Sequence, residues 1–250
     1  EMLRSLVGSE MCIRDRYNSP MKFLLTAINA KFIHSNPAIY SLRAGAGEKL
    51  QPYVELAEFT INESLESILE GIWKRQPKVI GFSCYIWNWK LIREILTELP
   101  KILPDTEIWL GGPEVTYDGP GLLREFPQVT GIMVGEGEVT FREVLEQYLR
   151  EAETAGQSEQ QPESDSTEHQ VADRRGTVAG KSMVERFGQI PGLCLASGYT
   201  APRDLTDLTT LPFLYEDMEP FTNRIIYYET SRGCPYRCSY CLSSIDKKVR

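Results

Sequence analysis

The chain has 250 residues, of which 42% are hydrophobic, 10% aromatic and 25% charged. This composition is typical of a globular protein and excludes a disordered or collagen-like chain. The formal net charge of −8 argues against a nucleic-acid partner, and no apolar run reaches the ~18 residues of a membrane span. We therefore expect a cytoplasmic protein without a membrane partner.

The first 20 residues differ from the remainder of the chain. They contain neither the continuous apolar core of a signal peptide nor a capped, periodic element, and they resemble translated sequencing-adapter sequence. We interpret residues 1–20 as a non-native tail that precedes a natural start at Met21. A native disordered arm is the alternative.

Residues 21–150 alternate between apolar runs of strand length and patterns of helical period. The predicted strands are 23–28, 54–59, 79–83, 108–110 and 132–134. Helices are predicted between them, two of them capped by Asn62 and Asn88. Such alternation implies parallel pairing through right-handed crossovers. The predicted fold class is therefore α/β, a five-stranded doubly wound parallel sheet, whose ligands bind outside the carboxyl ends of the strands.

The remainder of the chain divides into three predicted segments. Residues 151–186 are dominated by Glu, Gln, Ser, Asp and Thr and lack aromatic side chains, which predicts a disordered linker. Residues 187–224 form a connector rich in turn residues. An apolar strand over 225–230 then leads directly into a group of cysteines.

Cys234, Cys238 and Cys241 have the spacing Cys-x₃-Cys-x₂-Cys. Three thiolates on one loop can bind three irons of a 4Fe-4S cluster and leave the fourth iron open to a small molecule. Structural zinc sites usually take four protein ligands, and the nearest histidine, His169, lies in the predicted linker. Zinc binding and unligated thiols remain the weaker alternatives.

The cysteine motif, with Gly233 before it and Tyr240 before its last cysteine, resembles the radical S-adenosylmethionine (SAM) superfamily. The resemblance implies that SAM binds at the open iron and is cleaved to a 5′-deoxyadenosyl radical. It also implies an electron donor such as a flavodoxin or a ferredoxin, and a (β/α) barrel that begins at the strand over 225–230. Tyr240 is expected near the adenine of SAM, with a packing role under the loop as its alternative.

Two glycine-rich turns follow the last two predicted strands, at Gly111-Gly112-Pro113-Glu114 and at Gly135-Glu136-Gly137-Glu138. Glycine allows backbone amides to approach a bulky ligand, and the helix N-terminus after the second turn favours an anionic group. Tight turns also need glycine for steric reasons alone, which is the alternative.

The sheet, its turns and the following cysteine motif together resemble the cobalamin-binding radical SAM enzymes, whose first domain is of the flavodoxin-like cobalamin-binding type. The resemblance implies a cobalamin in residues 21–150. The positions that it places against the corrinoid and its nucleotide tail are Ser83, Gly111, Gly112, Gly135 and Gly137.

The sequence departs from many cobalamin domains after the first strand. Their Asp-x-His-x-x-Gly motif is absent, because Phe32 and Pro37 occupy its first and last positions around His34. We interpret His34 as a loop or capping residue, so that a bound cobalamin would have no histidine ligand. The absence also leaves open that the domain binds no corrinoid.

Other proteins with such a sheet fit less well. A response-regulator receiver needs an acidic residue where Ser83-Cys84 stand, and an NAD domain needs a glycine fingerprint after its first strand. A methylthiotransferase needs three further cysteines upstream, whereas only Cys84 and Cys194 remain outside the tail. Both are expected to be buried as small hydrophobic residues.

These features predict a radical SAM enzyme with a 4Fe-4S cluster and cobalamin, acting in methyl transfer or a related modification of an unactivated carbon. The alternative is a corrinoid-binding module, or a structural sheet domain, without catalysis. The sequence does not identify the substrate. Since a (β/α) barrel takes ~200 residues, we expect residues 225–250 to be its truncated start, poorly anchored and inactive in this chain.

Overall fold

The computed structural model describes residues 21–31, 34–158, 182–215, 217–236, 238–241 and 249–250. The predicted non-native tail, which includes Cys12, lies outside the described residues. Residues 159–181, the central part of the predicted linker, also lie outside them.

Seven strands form one sheet in the order β2-β1-β3-β4-β5-β6-β7. The strands are β1 Phe23–Asn29, β2 Val54–Thr60, β3 Val79–Ser83, β4 Glu107–Gly111, β5 Val129–Met133, β6 Leu193–Leu195 and β7 Gly198–Tyr199. The first five pair in parallel, which confirms the predicted α/β fold with a doubly wound parallel sheet. The last two pair antiparallel and widen the sheet beyond the five predicted strands.

Within the described residues, six α-helices accompany the strands. They are α1 Pro37–Gly45, α2 Leu65–Arg75, α3 Trp89–Ile102, α4 Gly119–Glu125, α5 Gly137–Ser158 and α6 Met183–Phe187. The predicted Asn62 cap is wrong, because the Ser64 side chain accepts a hydrogen bond from the Ser67 amide and begins α2. Asn88 does precede α3, but its side chain makes no cap hydrogen bond to that helix.

The sheet has a hydrophobic core on each face. Leu24 and Ile28 of β1 belong to the core formed with α2, α3 and the end of α4. Phe23 and Leu25 of the same strand belong to the core formed with α1, α5 and α6. This alternation within one strand follows from the two-residue period of side chains and explains why the parallel strands are apolar throughout.

The linker prediction for residues 151–186 is wrong at both described ends. Helix α5 continues to Ser158, and a capping box between Ser182 and Glu185 begins α6. The Arg186 side chain is 1% exposed and forms ion pairs with Glu107 of β4 and Glu151 of α5. The polar composition was misleading because these charges are buried in pairs, a contact that composition does not reveal.

The predicted strand over 225–230 is not formed. Among the described residues of this segment, only Ile225 pairs, in an isolated parallel bridge with His34. Tyr227 is held differently: its carbonyl accepts a hydrogen bond from the Tyr215 hydroxyl, and its amide donates to Ser35 Oγ. A strand needs a neighbouring edge along its length, and the contacts here are made one residue at a time.

The expected weak anchoring of residues 225–250 also differs from the structure. Arg224, immediately before the segment, pairs with Glu58 of β2, and Arg232 pairs with Glu138 of α5. Both ion pairs are largely shielded from solvent, since every side chain in them is less than 20% exposed. The described part of the segment is therefore tied to the sheet by charge.

No helix among the described residues has both the length and the apolar character needed to cross a membrane.

Candidate functional site

A cavity of about 880 Å³ lies at the carboxyl ends of β3, β4 and β5. Its other walls come from the starts of α1 and α5, from the connector, and from residues Thr230, Ser231 and Arg232 just before the cysteine motif. The cavity thus occupies the position at which doubly wound sheets bind ligands.

The structure brings all five predicted cobalamin-contact positions to this one cavity. They are Ser83, Gly111, Gly112, Gly135 and Gly137. They come from three turns that are separated in sequence and joined only by the parallel order of β3, β4 and β5. Their contact with a corrinoid remains a prediction.

The glycines meet different demands. Gly112 has φ of 109°, and a Cβ there would lie 2.5 Å from the Cys84 carbonyl oxygen, so the close approach of two turns requires glycine. A Cβ at Gly137 would lie 2.8 Å from Leu42 Cδ2. Gly135 has φ of 81°, and a Cβ there would meet nothing within 4 Å. The steric alternative therefore explains Gly112, whereas Gly135 borders open space in the cavity.

Asparagine side chains fix the loops at one end of the cavity. Buried Asn88 donates to the carbonyls of Ile28 at 3.0 Å and Ser83 at 2.9 Å, and it joins the ends of β1 and β3. Asn36 Nδ2 donates to Asn29 Oδ1 at 3.2 Å, and lies 3.5 Å from Ser83 Oγ. Sequence reasoning saw Asn88 only as a helix cap, because these bonds reach residues distant in sequence.

His34 makes its contacts elsewhere. Its Nδ1 lies 3.1 Å from the Tyr227 hydroxyl, and its carbonyl accepts hydrogen bonds from Asn29 and Arg224. His34 is not among the described residues that line the cavity. This placement agrees with the interpretation of His34 as a loop residue.

Aromatic side chains border the cavity, and sequence reasoning missed them. Tyr85 stacks on Trp87 with ring centroids 4.4 Å apart and planes 6° apart. Tyr117, Phe213 and Tyr228 also line the cavity while remaining more than half exposed. Tyr85 and Tyr117 could have been recognised as candidate site residues, because they lie shortly after the ends of β3 and β4.

Two carboxylates, also missed, lie in the second glycine-rich turn. Burial opposes ionisation of Glu138, but hydrogen bonds from Arg232 and Ser41 outweigh it, so the pKa of this carboxyl is lowered. Burial likewise opposes ionisation of Glu136, and bonds from Arg250 and Thr206 lower its pKa. Glu138 thus places a carboxylate of the protein in the first turn of α5, where the helix dipole favours negative charge, and an anionic ligand group there remains a prediction.

The predicted metal ligands lie beyond this turn. Cys234 and Cys238 are half-buried, Cys241 is exposed, and the Cys241 amide donates to the Cys238 carbonyl at 3.1 Å. Within the described part of the chain, no three His, Cys, Asp or Glu side chains are grouped closely enough to hold a metal. Three soft thiols on one loop fit an iron–sulfur cluster by donor chemistry, and their ligand role remains a prediction.

The Tyr240 side chain is 91% exposed. The alternative in which it packs under the cysteine loop is therefore wrong. Its expected position near an adenine remains a prediction. Cys84 and Cys194 are buried, as predicted, and burial raises the pKa of both thiols.

Comparison with known proteins relates this geometry to a family. Residues 24–145 match the B12 binding domain. The chain is 28% identical over 183 residues to the cobalamin-dependent radical SAM methyltransferase TokK of Streptomyces tokunonensis, covering 66% of this chain and 22% of the relative. It is 28% identical over 208 residues to the 2-(S-pantetheinyl)-carbapenam-3-carboxylate methyltransferase of Streptantibioticus cattleyicolor, covering 80% of this chain and 26% of the relative.

A solved structure has the same fold. The cobalamin-dependent SAM radical enzyme OxsB, with aqua-cobalamin and SAM bound, superposes with a TM-score of 0.57 at 17% identity, covering 89% of this chain and 28% of OxsB. The present chain spans about a quarter of the length of the two curated relatives. These matches confirm the resemblance to cobalamin-binding radical SAM enzymes.

Proposed function

We propose that this chain is the cobalamin-binding part of a radical SAM enzyme, because residues 24–145 match the B12 binding domain and the chain is similar to cobalamin-dependent radical SAM methyltransferases. The enzyme uses a corrinoid in the cavity and a 4Fe-4S cluster on the cysteine loop. Its reaction is methyl transfer, or a related modification, at an unactivated carbon.

One observation carries the proposal. Residues Thr230, Ser231 and Arg232, which lead directly into Cys234, line the same cavity as the turns after β3, β4 and β5. The predicted corrinoid site and the predicted cluster loop are therefore neighbours, although Cys234 follows the end of β5 at Met133 by 101 residues. Radical and methyl chemistry on one substrate requires such proximity.

The volume of the cavity, about 880 Å³, and its lining of glycine-containing turns and aromatic rings support corrinoid binding. Backbone at Gly111, Gly112 and Gly135 would approach the macrocycle, and the exposed rings of Tyr117 and Tyr228 would cover it with flat apolar surface. His34 contacts the Tyr227 hydroxyl and is not among the described residues that line the cavity, which supports cobalamin binding without a histidine ligand from that loop. When bound, the cobalamin supplies the transferable methyl group, and the cluster with SAM supplies the radical.

The chain's own residues would hold and shield these groups. Cys234, Cys238 and Cys241 provide the thiolates, and Tyr240, being exposed, is free to cover an adenine bound beside the cluster. An external electron donor, a flavodoxin or a ferredoxin, would reduce the cluster, since these cysteines account for one cluster only. We place this reaction in the cytoplasm, where thiol ligands stay reduced.

Anaerobic reconstitution of the complete protein tests the proposal. With hydroxocobalamin, iron and sulfide, it should retain corrinoid and iron and should form 5′-deoxyadenosine from SAM under reducing conditions. Corrinoid binding without iron or deoxyadenosine would favour a corrinoid-binding module. If the protein retains neither corrinoid nor iron, the sheet has only a structural role and the proposal is wrong.

A further inference from the structure

Two carboxylates at the start of α5, Glu136 just before the helix and Glu138 in its first turn, bind the arginines on either side of the cysteine motif. Arg232 Nη2 donates to Glu138 Oε1 at 2.5 Å, and its Nη1 donates to Glu138 Oε2 at 3.3 Å. Arg250 Nη2 donates to Glu136 Oε1, and Arg232 Nη1 lies 3.7 Å from the same oxygen. The short segment 136–138 thus contacts both Arg232 and Arg250.

The Arg232–Glu138 pair is shielded from solvent. The side chains are 15% and 5% exposed, unlike the surface pairs that contribute little. Ser41 of α1 also donates to Glu138 Oε1, at 2.7 Å, so a second side chain holds the same carboxylate. A guanidinium that binds a carboxylate through two nitrogens restricts orientation as well as distance.

Backbone bonds join the two arginines directly. The Arg232 amide donates to the Arg250 carbonyl at 3.1 Å, and the Arg250 amide donates to the Arg232 carbonyl at 2.9 Å. All three cysteines lie in the loop that this reciprocal pair closes. The base of the loop is therefore fixed, although Cys241 itself is exposed.

We propose that Glu136, Glu138 and Arg232 form a clamp that positions the cysteine loop at the mouth of the cavity. Arg232 is two residues before Cys234, and all three clamp residues line the cavity. The position of the chain just before the first cysteine is therefore set by this shielded ion pair together with the Glu136–Arg250 pair and the backbone bonds between the two arginines. The identity of the cofactors, a corrinoid in the cavity and a 4Fe-4S cluster on the loop, rests on the proposed function. The clamp itself does not depend on it.

Hydrogen exchange of this chain tests the clamp without any cofactor. Arg232→Gln should speed amide exchange in peptides over 225–241 by about tenfold or more and leave β3 and β5 unchanged. Arg203→Gln is the matched control, because Arg203 is 14% exposed and pairs with Glu143 away from the cavity. It should leave 225–241 unchanged.

Wild-type exchange rates over 225–241 in the Arg232→Gln variant would overturn the clamp. If that variant loses protection throughout the sheet, Glu138→Gln decides, since it keeps the side-chain shape and removes only the charge that binds Arg232. Faster exchange over 225–241 in this variant supports the clamp, and unchanged exchange rejects it.

A second readout tests positioning in the complete, reconstituted protein. A reduced cluster near cob(II)alamin should speed the relaxation of its electron paramagnetic resonance signal. Arg232→Gln should weaken this effect at unchanged corrinoid and iron content, and Arg203→Gln should not. Unaltered relaxation in Arg232→Gln would contradict a positioning role. If the wild type retains neither cofactor, the proposed function fails and the exchange data alone decide the clamp.

Discussion

Gly135 and Gly47 have the same left-handed φ of 81°, and a Cβ at either would meet nothing within 4 Å. They differ in place, since Gly135 lines the cavity and Gly47 is exposed beyond α1. Gly135→Leu and Gly47→Leu should therefore cost similar stability, about 1–2 kcal/mol each, from backbone strain.

Only Gly135→Leu fills space that the proposed ligand would occupy. We expect it to weaken hydroxocobalamin binding by about tenfold or more. The leucine side chain would clash with the corrinoid and remove contacts with it, and a loss of about 1.4 kcal/mol in binding free energy already corresponds to a tenfold change in affinity. Gly47→Leu should bind like the wild type. Equilibrium titration measures both, and equal affinities would remove Gly135 from the site.

The three motif cysteines are predicted to act together. Cys238→Ala should abolish stable 4Fe-4S assembly, because Cys84 and Cys194 are buried in the sheet's core and cannot replace it. Cys194→Ala is the control and should keep the wild-type iron content. Iron and sulfide analysis after anaerobic reconstitution decides, and wild-type iron in Cys238→Ala would refute the ligand assignment.

At the residue scale, the sequence could identify site residues whose role follows from their position along the chain. The glycines could be found because each glycine-rich turn directly follows a predicted strand. Glu138 could not, because its partner Arg232 is 94 residues away and nothing local distinguishes it from a solvent-exposed glutamate. Paired charges have a strong effect on structure and leave almost no signal in the sequence.

At the element scale, the five parallel strands were predictable because their apolar runs are long enough to be recognised. Strand β6 has three residues and takes its place through pairing of Cys194 with Ile132 of β5. Helix α6 has five residues and is held by contacts of Phe187 with Trp109 and Tyr148. Such short elements depend mainly on tertiary contacts, and the one local signal here is the Ser182–Glu185 capping box that begins α6.

The ion pairs of Arg186 should account for the docking of α6. Arg186→Met keeps much of the side-chain volume but leaves Glu107 and Glu151 without their charge partner. We expect a loss of about 3 kcal/mol in the free energy of unfolding, the lower end for a broken buried pair.

Urea denaturation measures this loss, with Arg93→Met as control. Arg93 pairs with Glu125 on the surface, where both side chains are more than 40% exposed, so its removal should cost about 0–1 kcal/mol. Equal losses in the two variants would show that burial of the Arg186 pairs contributes nothing.

At the scale of the whole molecule, carboxylates of the sheet domain hold the segment before and after the cysteines. The pairs are Glu58–Arg224, Glu138–Arg232 and Glu136–Arg250. The cavity lies between the two parts that these pairs join, with Glu136, Glu138 and Arg232 in its wall. Glu136, Glu138 and Arg232 therefore belong both to the cavity wall and to the contact between the sheet domain and the cysteine segment.

Acid should weaken this connection. Despite the opposing effect of burial, hydrogen bonds from arginines lower the pKa of Glu136 and Glu138 below the ordinary value of 4.5. A carboxyl whose pKa is lowered by folding contributes stability that is fully present above its unfolded value and is lost as pH falls through its folded value.

The free energy of unfolding should therefore decline on acidification below pH 4.5, and Glu138→Gln should show a shallower decline. Urea titrations from about pH 3 to 6 cover this window. Identical slopes for the wild type and the variant would show that Glu138 has the same pKa in both states.

Cobalamin binding by this 250-residue chain tests the central claim most directly. The chain is mixed with excess hydroxocobalamin under anaerobic conditions, separated by gel filtration, and examined by ultraviolet–visible absorption. We predict that the corrinoid spectrum elutes with the protein at about one corrinoid per folded chain, because the cavity at the carboxyl ends of β3, β4 and β5 would hold one corrinoid. Protein that elutes folded and without corrinoid absorption, even after saturating exposure, would contradict the account.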